Sequence, residues 1–403
     1  MNSLISDIHN NYMETNLLDE FQIEKYNFKT IYNMYNLLKT SHLSSKYMNH
    51  NHSSRKNIGF TKNQLFNIIE ISRFFPKVIE EYLLSTKTQY TCYHFSANNR
   101  IFNIHVYHYK HIFNDDDINY IKSWFSMVSN YAPANCSTNL DVYLFFTPFQ
   151  KYLPKEKNSQ IEPKHVNSAY TYGCSKRNKI IIYRYEEWKK VLLHESFHTF
   201  NFDFHNNNFQ RLRITIKDIF RIQSEYEIFE TYCETWATII HILFIYQQND
   251  NLQLNDPRVV FNDINKLLEK EVMFSLFQCC KILVHFKISY DDMCNINTNG
   301  HMSKINNFKE TTPIISYFFF KTILLFNACK FADWCSLNNM NNMLIFSDDN
   351  HEYRKKRDFA GMIKDLYREV NFLRYITYVQ TKYNEADVDA FSANTLRMTL
   401  LDV

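Results

Sequence analysis

Between residues 179 and 200 the chain runs from Lys179-Ile180-Ile181-Ile182-Tyr183-Arg184 into His194-Glu195-Ser196-Phe197-His198. The first stretch is rich in β-branched residues and reads as a strand. The second lies within 186–204, a segment free of Gly and Pro, and predicts a helix. Residues four apart share a helix face, so the imidazoles of His194 and His198 point the same way. Two nitrogens placed like that suit one Zn²⁺, and Glu195 beside them is positioned to act as a base on water. The plain alternative is a helix with two solvated or hydrogen-bonded histidines. A strand feeding directly into the helix, with Val191, Leu192 and Phe200 offering an apolar side, is the setting that the metal-site pattern requires.

With 403 residues and 45% apolar content, the chain can bury a sizeable core in one large domain or two, and it is too apolar for disorder. There are 35 Phe and 28 Tyr but only 4 Gly, and Asn, Ile and Lys abound. That bias reads as the coding stamp of an AT-rich genome and does not constrain the fold. A net charge of +3 argues against a nucleic-acid or anionic-membrane partner. Residues 1–12 lack the apolar core of a signal peptide. The most apolar stretch, 314–331, is interrupted by Lys321, Asn327 and Lys330 and reads as a buried helix, not a membrane span. The 9 cysteines show no C-x-x-C spacing. They read as a reduced complement, neither a disulfide framework nor a thiolate zinc site.

Residues 1–85 read as a helical N-terminal region. It contains a polar loop at 41–57 and a helix opened by a capping box at Thr61 and Gln64, running to about residue 84. Residues 86–205 predict a small sheet. Strands 90–95 and 101–109 join through Asn98-Asn99, a helix opens at Asp115-Asp116-Asp117, and strands 141–146 and 179–184 lead to the H-E-x-x-H helix. Residues 206–403 read as mostly helical, at about 218–247, 261–286, 313–332 and 356–379. The expected class is α+β: a small mixed sheet with a backing helix and an active-site helix, then a helical C-terminal subdomain. By analogy this is the layout of the zincin N-terminal subdomain.

A catalytic zinc takes three protein ligands. The nearest supply of further carboxylates is Glu225, Glu227, Glu230 and Glu234. Such a run is usually a solvated acidic face. Here Tyr232, Cys233, Trp236, Ala237, Ile239 and Ile240 make the same segment apolar. Asp203 and His205 are the other candidates, but the Gly and spacing of the H-E-x-x-H-x-x-G-x-x-H type are absent.

The run from Phe229 through Ala237 resembles the glutamate helix of gluzincins. The wider set resembles the zincin-like metallopeptidases predicted for large nucleocytoplasmic DNA viruses. It comprises His165-Val166-Asn167-Ser168-Ala169-Tyr170-Thr171, Ile182 through Trp188, His194 through Phe200, Asp203, Glu310-Thr311-Thr312-Pro313, Ser316-Tyr317 and the tail from Leu396 to Leu400. The likeness spans roughly residues 90–403, and the order of the motifs carries more weight than any one of them. It implies Glu230 as the third ligand, with Glu234 bonding the far nitrogen of a zinc histidine; Glu234 and then Glu227 are the alternatives for the ligand itself. It implies Tyr317, with His301 as the other candidate, as donor to the tetrahedral oxyanion. Arg397 would orient a carboxylate or the substrate, its plainer reading being a surface or interface arginine. The implied activity is zinc-dependent hydrolysis of peptide bonds, with Glu195 as general base on the hydrolytic water. Endopeptidase action is favoured over exopeptidase, on a peptide or protein substrate, with no nucleic-acid or membrane partner, in the host cytoplasm or the virion. The competing reading is an inactive virion or scaffold protein that keeps the fold for partner binding, with zinc as a staple or absent. Retention of Glu195 argues against it, because a structural zinc needs no general base.

Overall fold

The structure, a computed structural model, describes residues 28–401 apart from 71–73, 110, 112, 205–209, 221, 223, 225, 250–255, 295–303, 340–341, 347–357 and 386–389. Helix α1 (Phe28–Lys46) buries Ile31, Met34, Tyr35 and Leu38, the spacing of one helix face. Strand β1 (Asn51–Ile58) stands where the polar sequence predicts a loop. Its first seven residues are all exposed, so no apolar alternation marks it; backbone pairing with the next strand makes it a strand. The N-terminal region is therefore helical only in part. Two helices, α2 (Lys62–Ile69) and α3 (Lys77–Ser85), replace the single one expected. Thr61 and Gln64 do form the capping box of α2, and Pro76 occupies the cap of α3, where its missing N–H costs nothing.

Strands β2 (Thr88–Ala97) and β3 (Arg100–His108) form the expected hairpin. Asn98 and Asn99 adopt φ of 48° and 62°, the positive pair that a two-residue type I′ turn needs. Helix α4 (Asp115–Ser129) begins at Asn114, whose side chain accepts from the amides of Asp116 and Asp117. Then come β4 (Asn139–Phe146), the short α5 (Pro163–Val166), β5 (Ala169–Thr171) and β6 (Arg177–Ile182). The six strands lie in the order β1-β2-β3-β4-β6-β5. β3, β4 and β6 are parallel, and β5 is an antiparallel edge. The two-residue period sorts the faces. Phe102, Ile104, Val106, Val142, Leu144 and Ile180 enter the main core, whereas Tyr107, Phe145 and Ile181 pack under α2 and α3.

Beyond the sheet come α6 (Trp188–Thr199), α7 (Gln210–Lys217), α8 (Ile228–Asn249) and α9 (Pro257–His285). The fold is mixed α+β and mostly helical among the described residues. Residues 228–248 of α8 are long and apolar enough to cross a membrane, but 94% of that window is buried inside the protein. It is the central core helix.

Three sequence expectations are corrected. The stretch 314–331 is not one helix: a π-helical turn (Ile315–Phe320) leads to helix Lys321–Phe326, and the chain then turns by 92° into Ala328–Asn338. The stretch 356–379 is divided into Phe359–Leu366 and Val370–Glu385. Finally, Cys136 and Cys174 form a disulfide linking the segments before β4 and β6, so the cysteines are not uniformly reduced. Their separation of 38 residues carries no motif, and only the parallel pairing of β4 with β6 brings them together.

Candidate metal centre

Helix α6 is unusual for a ten-residue stretch containing Lys189, Lys190, His194 and Glu195: everything from Trp188 to Phe197 is buried. Such a helix lacks a solvated face, so its polar groups must find partners inside the protein. Glu187, at φ 60°, opens it. The Glu187 carboxylate pairs with Lys151 and accepts from the amides of Met398 and Thr399 at 2.7 and 2.5 Å. The segment 395–401 is thus tied to the start of α6.

His194 and His198, one turn apart, turn their Nε2 atoms toward each other at 3.2 Å. Helix α8 packs alongside and brings Glu230 in its first turn. Glu230 Oε2 lies 3.0 Å from His194 Nε2 and 3.5 Å from His198 Nε2. Tetrahedral zinc with bonds of about 2.0–2.1 Å sets neighbouring ligand atoms about 3.3 Å apart. The three separations bracket that value. Glu230 Oε2 is buried and makes no hydrogen bond of its own. A carboxylate oxygen in that condition is costly unless a cation meets it. The donor set, two imidazoles and one carboxylate, is one zinc accepts, so these residues fit the metal.

Each histidine meets a second carboxylate on its other nitrogen. Glu234 Oε1 sits 3.1 Å from His194 Nδ1, and the other Glu234 oxygen pairs with the ammonium of Lys190. Asp203 Oδ2 sits 2.5 Å from His198 Nδ1. The Asp203 carboxylate, hydrogen-bonded at His198 Nδ1, holds the proton there and leaves Nε2 free to bind a metal, whereas His194 Nδ1 meets Glu234 at ion-pair distance without a hydrogen bond. Burial lowers the His194 pKa, but Glu234 and Glu230 outweigh it and raise it to about 9. Burial raises the Glu230 pKa, and the two histidines more than reverse it, holding that carboxyl well below the usual range. Burial lifts Glu195 above the ordinary carboxylate value despite both histidines.

Glu195, Val191, Asn167, Ala169, Tyr317 and Met398 line one cleft beside the histidines. Tyr317 is carried on the π-helical turn, its ring 6.3 Å from that of His194. Burial and the surrounding glutamates push its phenol well above 10, so it keeps its proton at neutral pH.

The structure thus gathers His194, His198, Glu230, Glu234, Glu195 and Tyr317 in one place. Asp203, weighed as an alternative third ligand, lies instead behind His198. Glu227 is not among the atoms grouped with the histidines. Arg397 meets Glu186, with its Nε 3.9 Å from Oε1, and is part of the packing of 395–401. Glu225, His205 and His301 lie outside the described residues. Sequence reasoning missed Lys190, Lys151 and Met398. For Lys190 a signal existed: it stands four residues before His194, on the same helix face.

No protein-family model matches this chain, and no curated protein or solved structure does either.

Proposed function

We propose that the chain is a zinc-dependent peptidase of the zincin type, with His194, His198 and Glu230 as the metal ligands. The observation that carries this reading is the triangle of ligand atoms at 3.0, 3.2 and 3.5 Å around a buried carboxylate oxygen without a hydrogen bond. When bound, zinc would supply Lewis-acid stabilisation of charge on the scissile carbonyl oxygen. The chain's own groups do the rest. Glu195, in the same cleft, takes a proton from the attacking water and passes it to the leaving amine. Its burial makes it a stronger base than a surface glutamate. Tyr317 donates its O–H to the developing oxyanion. Glu234 and Asp203 are positioning residues that act through the two imidazoles.

The sheet edge supports a peptide or protein substrate. β5 borders the cleft through Ala169 and lies at the end of the sheet. An extended peptide adds to such an edge through backbone hydrogen bonds. Strand addition needs no free terminus, which favours an endopeptidase acting on peptides or proteins. The motif order that resembles viral zincin-like metallopeptidases belongs to the same proposal, with the host cytoplasm or the virion as the place of action.

The test combines metal analysis with cleavage of a mixed peptide library read by mass spectrometry. About one zinc per chain is expected in wild type and in Glu195→Gln, and none in His194→Ala. Cleavage is expected in wild type and lost in Glu195→Gln. No zinc after add-back overturns the metal site, and wild-type cleavage by Glu195→Gln overturns the mechanism.

A further inference from the structure

Beyond the C-terminal ends of the parallel neighbours β4 and β6 lies a cavity of about 820 Å³ that shares no lining residue with the cleft beside the histidines. Phe149, Leu153 and Pro154, which follow β4, and Pro76, Val78 and Ile79, at the start of α3, make its walls mostly apolar. The far side of the carboxyl ends of parallel strands is where α/β sheets take their ligands, and the volume is that of a small-molecule site.

The charged lining has one sign. Arg184, Lys155 and Lys164 supply three cations, and no Asp or Glu lines the cavity. Glu162, outside it, pairs with Lys164. Arg184, just after β6, is only 3% exposed. Its Nε, Nη1 and Nη2 donate to the carbonyls of Asn167, Gln150 and Lys164 at 3.0, 2.6 and 2.7 Å. These bonds fix the guanidinium but bring it no negative charge, and they use three of its five N–H groups. Among the described residues Arg184 makes no ion pair. Glu186, the acidic group that acts on it, lies beyond ion-pair reach and accepts from the Lys151 amide at 2.8 Å. A buried cation in that condition is costly unless an anion meets it. α3 is a second source of positive potential: it begins at Pro76 with no side chain capping it, and its first turn borders the cavity.

We propose that this cavity is a binding site for an apolar carboxylate, one anionic head on a hydrocarbon body of the medium-chain fatty-acid kind. The head is matched by Arg184 and the uncapped start of α3, and the body by Val78, Ile79, Phe149 and Leu153. Val78 and Tyr152 are 54% and 40% exposed, so the site is reached from solvent. Inorganic phosphate has no body to use the apolar walls, and a neutral lipid leaves Arg184 without a counter-ion. The site stands independently of the metal centre and of the peptidase reading.

The full chain is titrated by calorimetry with sodium decanoate below its micelle concentration, and with 1-decanol and inorganic phosphate as the two half-ligands. One decanoate per chain is expected, with 1-decanol and phosphate each at least about tenfold weaker. Val78→Trp, a change at an exposed position that fills the cavity, is expected to abolish binding, and Lys155→Glu to weaken it about tenfold. Arg184→Gln, where it folds, is expected to weaken it at least as much as Lys155→Glu. His194→Ala is expected to bind decanoate as wild type does. Absence of binding, equal binding of 1-decanol, or unchanged binding in Val78→Trp overturns the proposal. Loss of binding in His194→Ala overturns it too, because the carboxylate would then be sitting at the metal centre.

Discussion

Glu234 joins the two halves of the centre, and removing it tests both at once. Its carboxylate faces His194 Nδ1 on one side and Lys190 Nζ on the other, and the Lys190 and Glu234 side chains are only 1% and 5% exposed. Glu234→Leu leaves the Lys190 ammonium in the interior with the Met398 sulfur at 3.7 Å, while the nearby Glu187 is already paired with Lys151. Breaking a buried ion pair from one side costs about 3–5 kcal/mol, because the remaining charge stays desolvated. Replacing both partners by apolar groups removes most of that cost, so Glu234→Leu with Lys190→Met should unfold within about 1 kcal/mol of wild type. Zinc affinity should behave differently. It should fall about 10- to 100-fold in the single Glu234 variant and stay low in the double one, because His194 has lost its Nδ1 partner in both. Stability is measured by urea unfolding under chelator, since bound zinc would add its own linkage term. Affinity is measured by competition with a fluorescent chelator. A single variant as stable as wild type, or one that binds zinc equally well, would refute the assignment of Glu234.

Four further outcomes are expected. Glu195→Gln should keep its zinc and lose at least about 10²-fold in peptide cleavage, the usual range for a general base. Tyr317→Phe should retain zinc and KM while kcat falls about 10²–10³-fold, the loss seen when one oxyanion donor is removed. Phe197, packed against Trp124, Phe202 and Tyr232, should cost about 3–5 kcal/mol in urea unfolding when changed to Ala. His241 is buried, and burial lowers its pKa to about 4 against an ordinary 6.5. Between pH 6.5 and 4 the unfolded chain therefore binds a proton that the folded chain refuses. Stability should fall by about 3 kcal/mol as pH drops through that window, and the loss should be absent in His241→Asn. Parallel stability–pH profiles for the two proteins would remove that explanation.

What was legible in the sequence is what local chemistry writes. The Asn98-Asn99 turn, the Thr61 cap and the acidic start of α4 each act within a few residues, and each was readable. The H-E-x-x-H spacing is equally local, and so is the helix carrying Glu230 and Glu234. β1 was not legible because its residues are exposed on both faces and its identity comes from pairing with β2. The partners of the centre were illegible for a different reason. Lys151, Lys190, Lys281 and Lys321 are all buried, whereas lysine in a sequence normally signals surface. Lys151 pairs with Glu187, which also binds the amides of 398 and 399. Lys281 and Lys321 donate to the carbonyls of Thr395 and Met398 at 2.6 and 2.9 Å. Glu271, buried on α9, accepts from the amides of Leu400 and Leu401. Each charge is acceptable only because a partner far away in the chain arrives to meet it, and no window of neighbouring residues contains that information. The segment 395–401 therefore supports the start of α6, although none of its residues belongs to the His194, His198 and Glu230 group. Deleting it would strip the amide donors from Glu187 and Glu271 and the carbonyl acceptors from Lys281 and Lys321, and zinc affinity should fall with stability because α6 loses part of what fixes its start. A truncated chain that folds and binds zinc as wild type does would show that the buried charges are satisfied some other way.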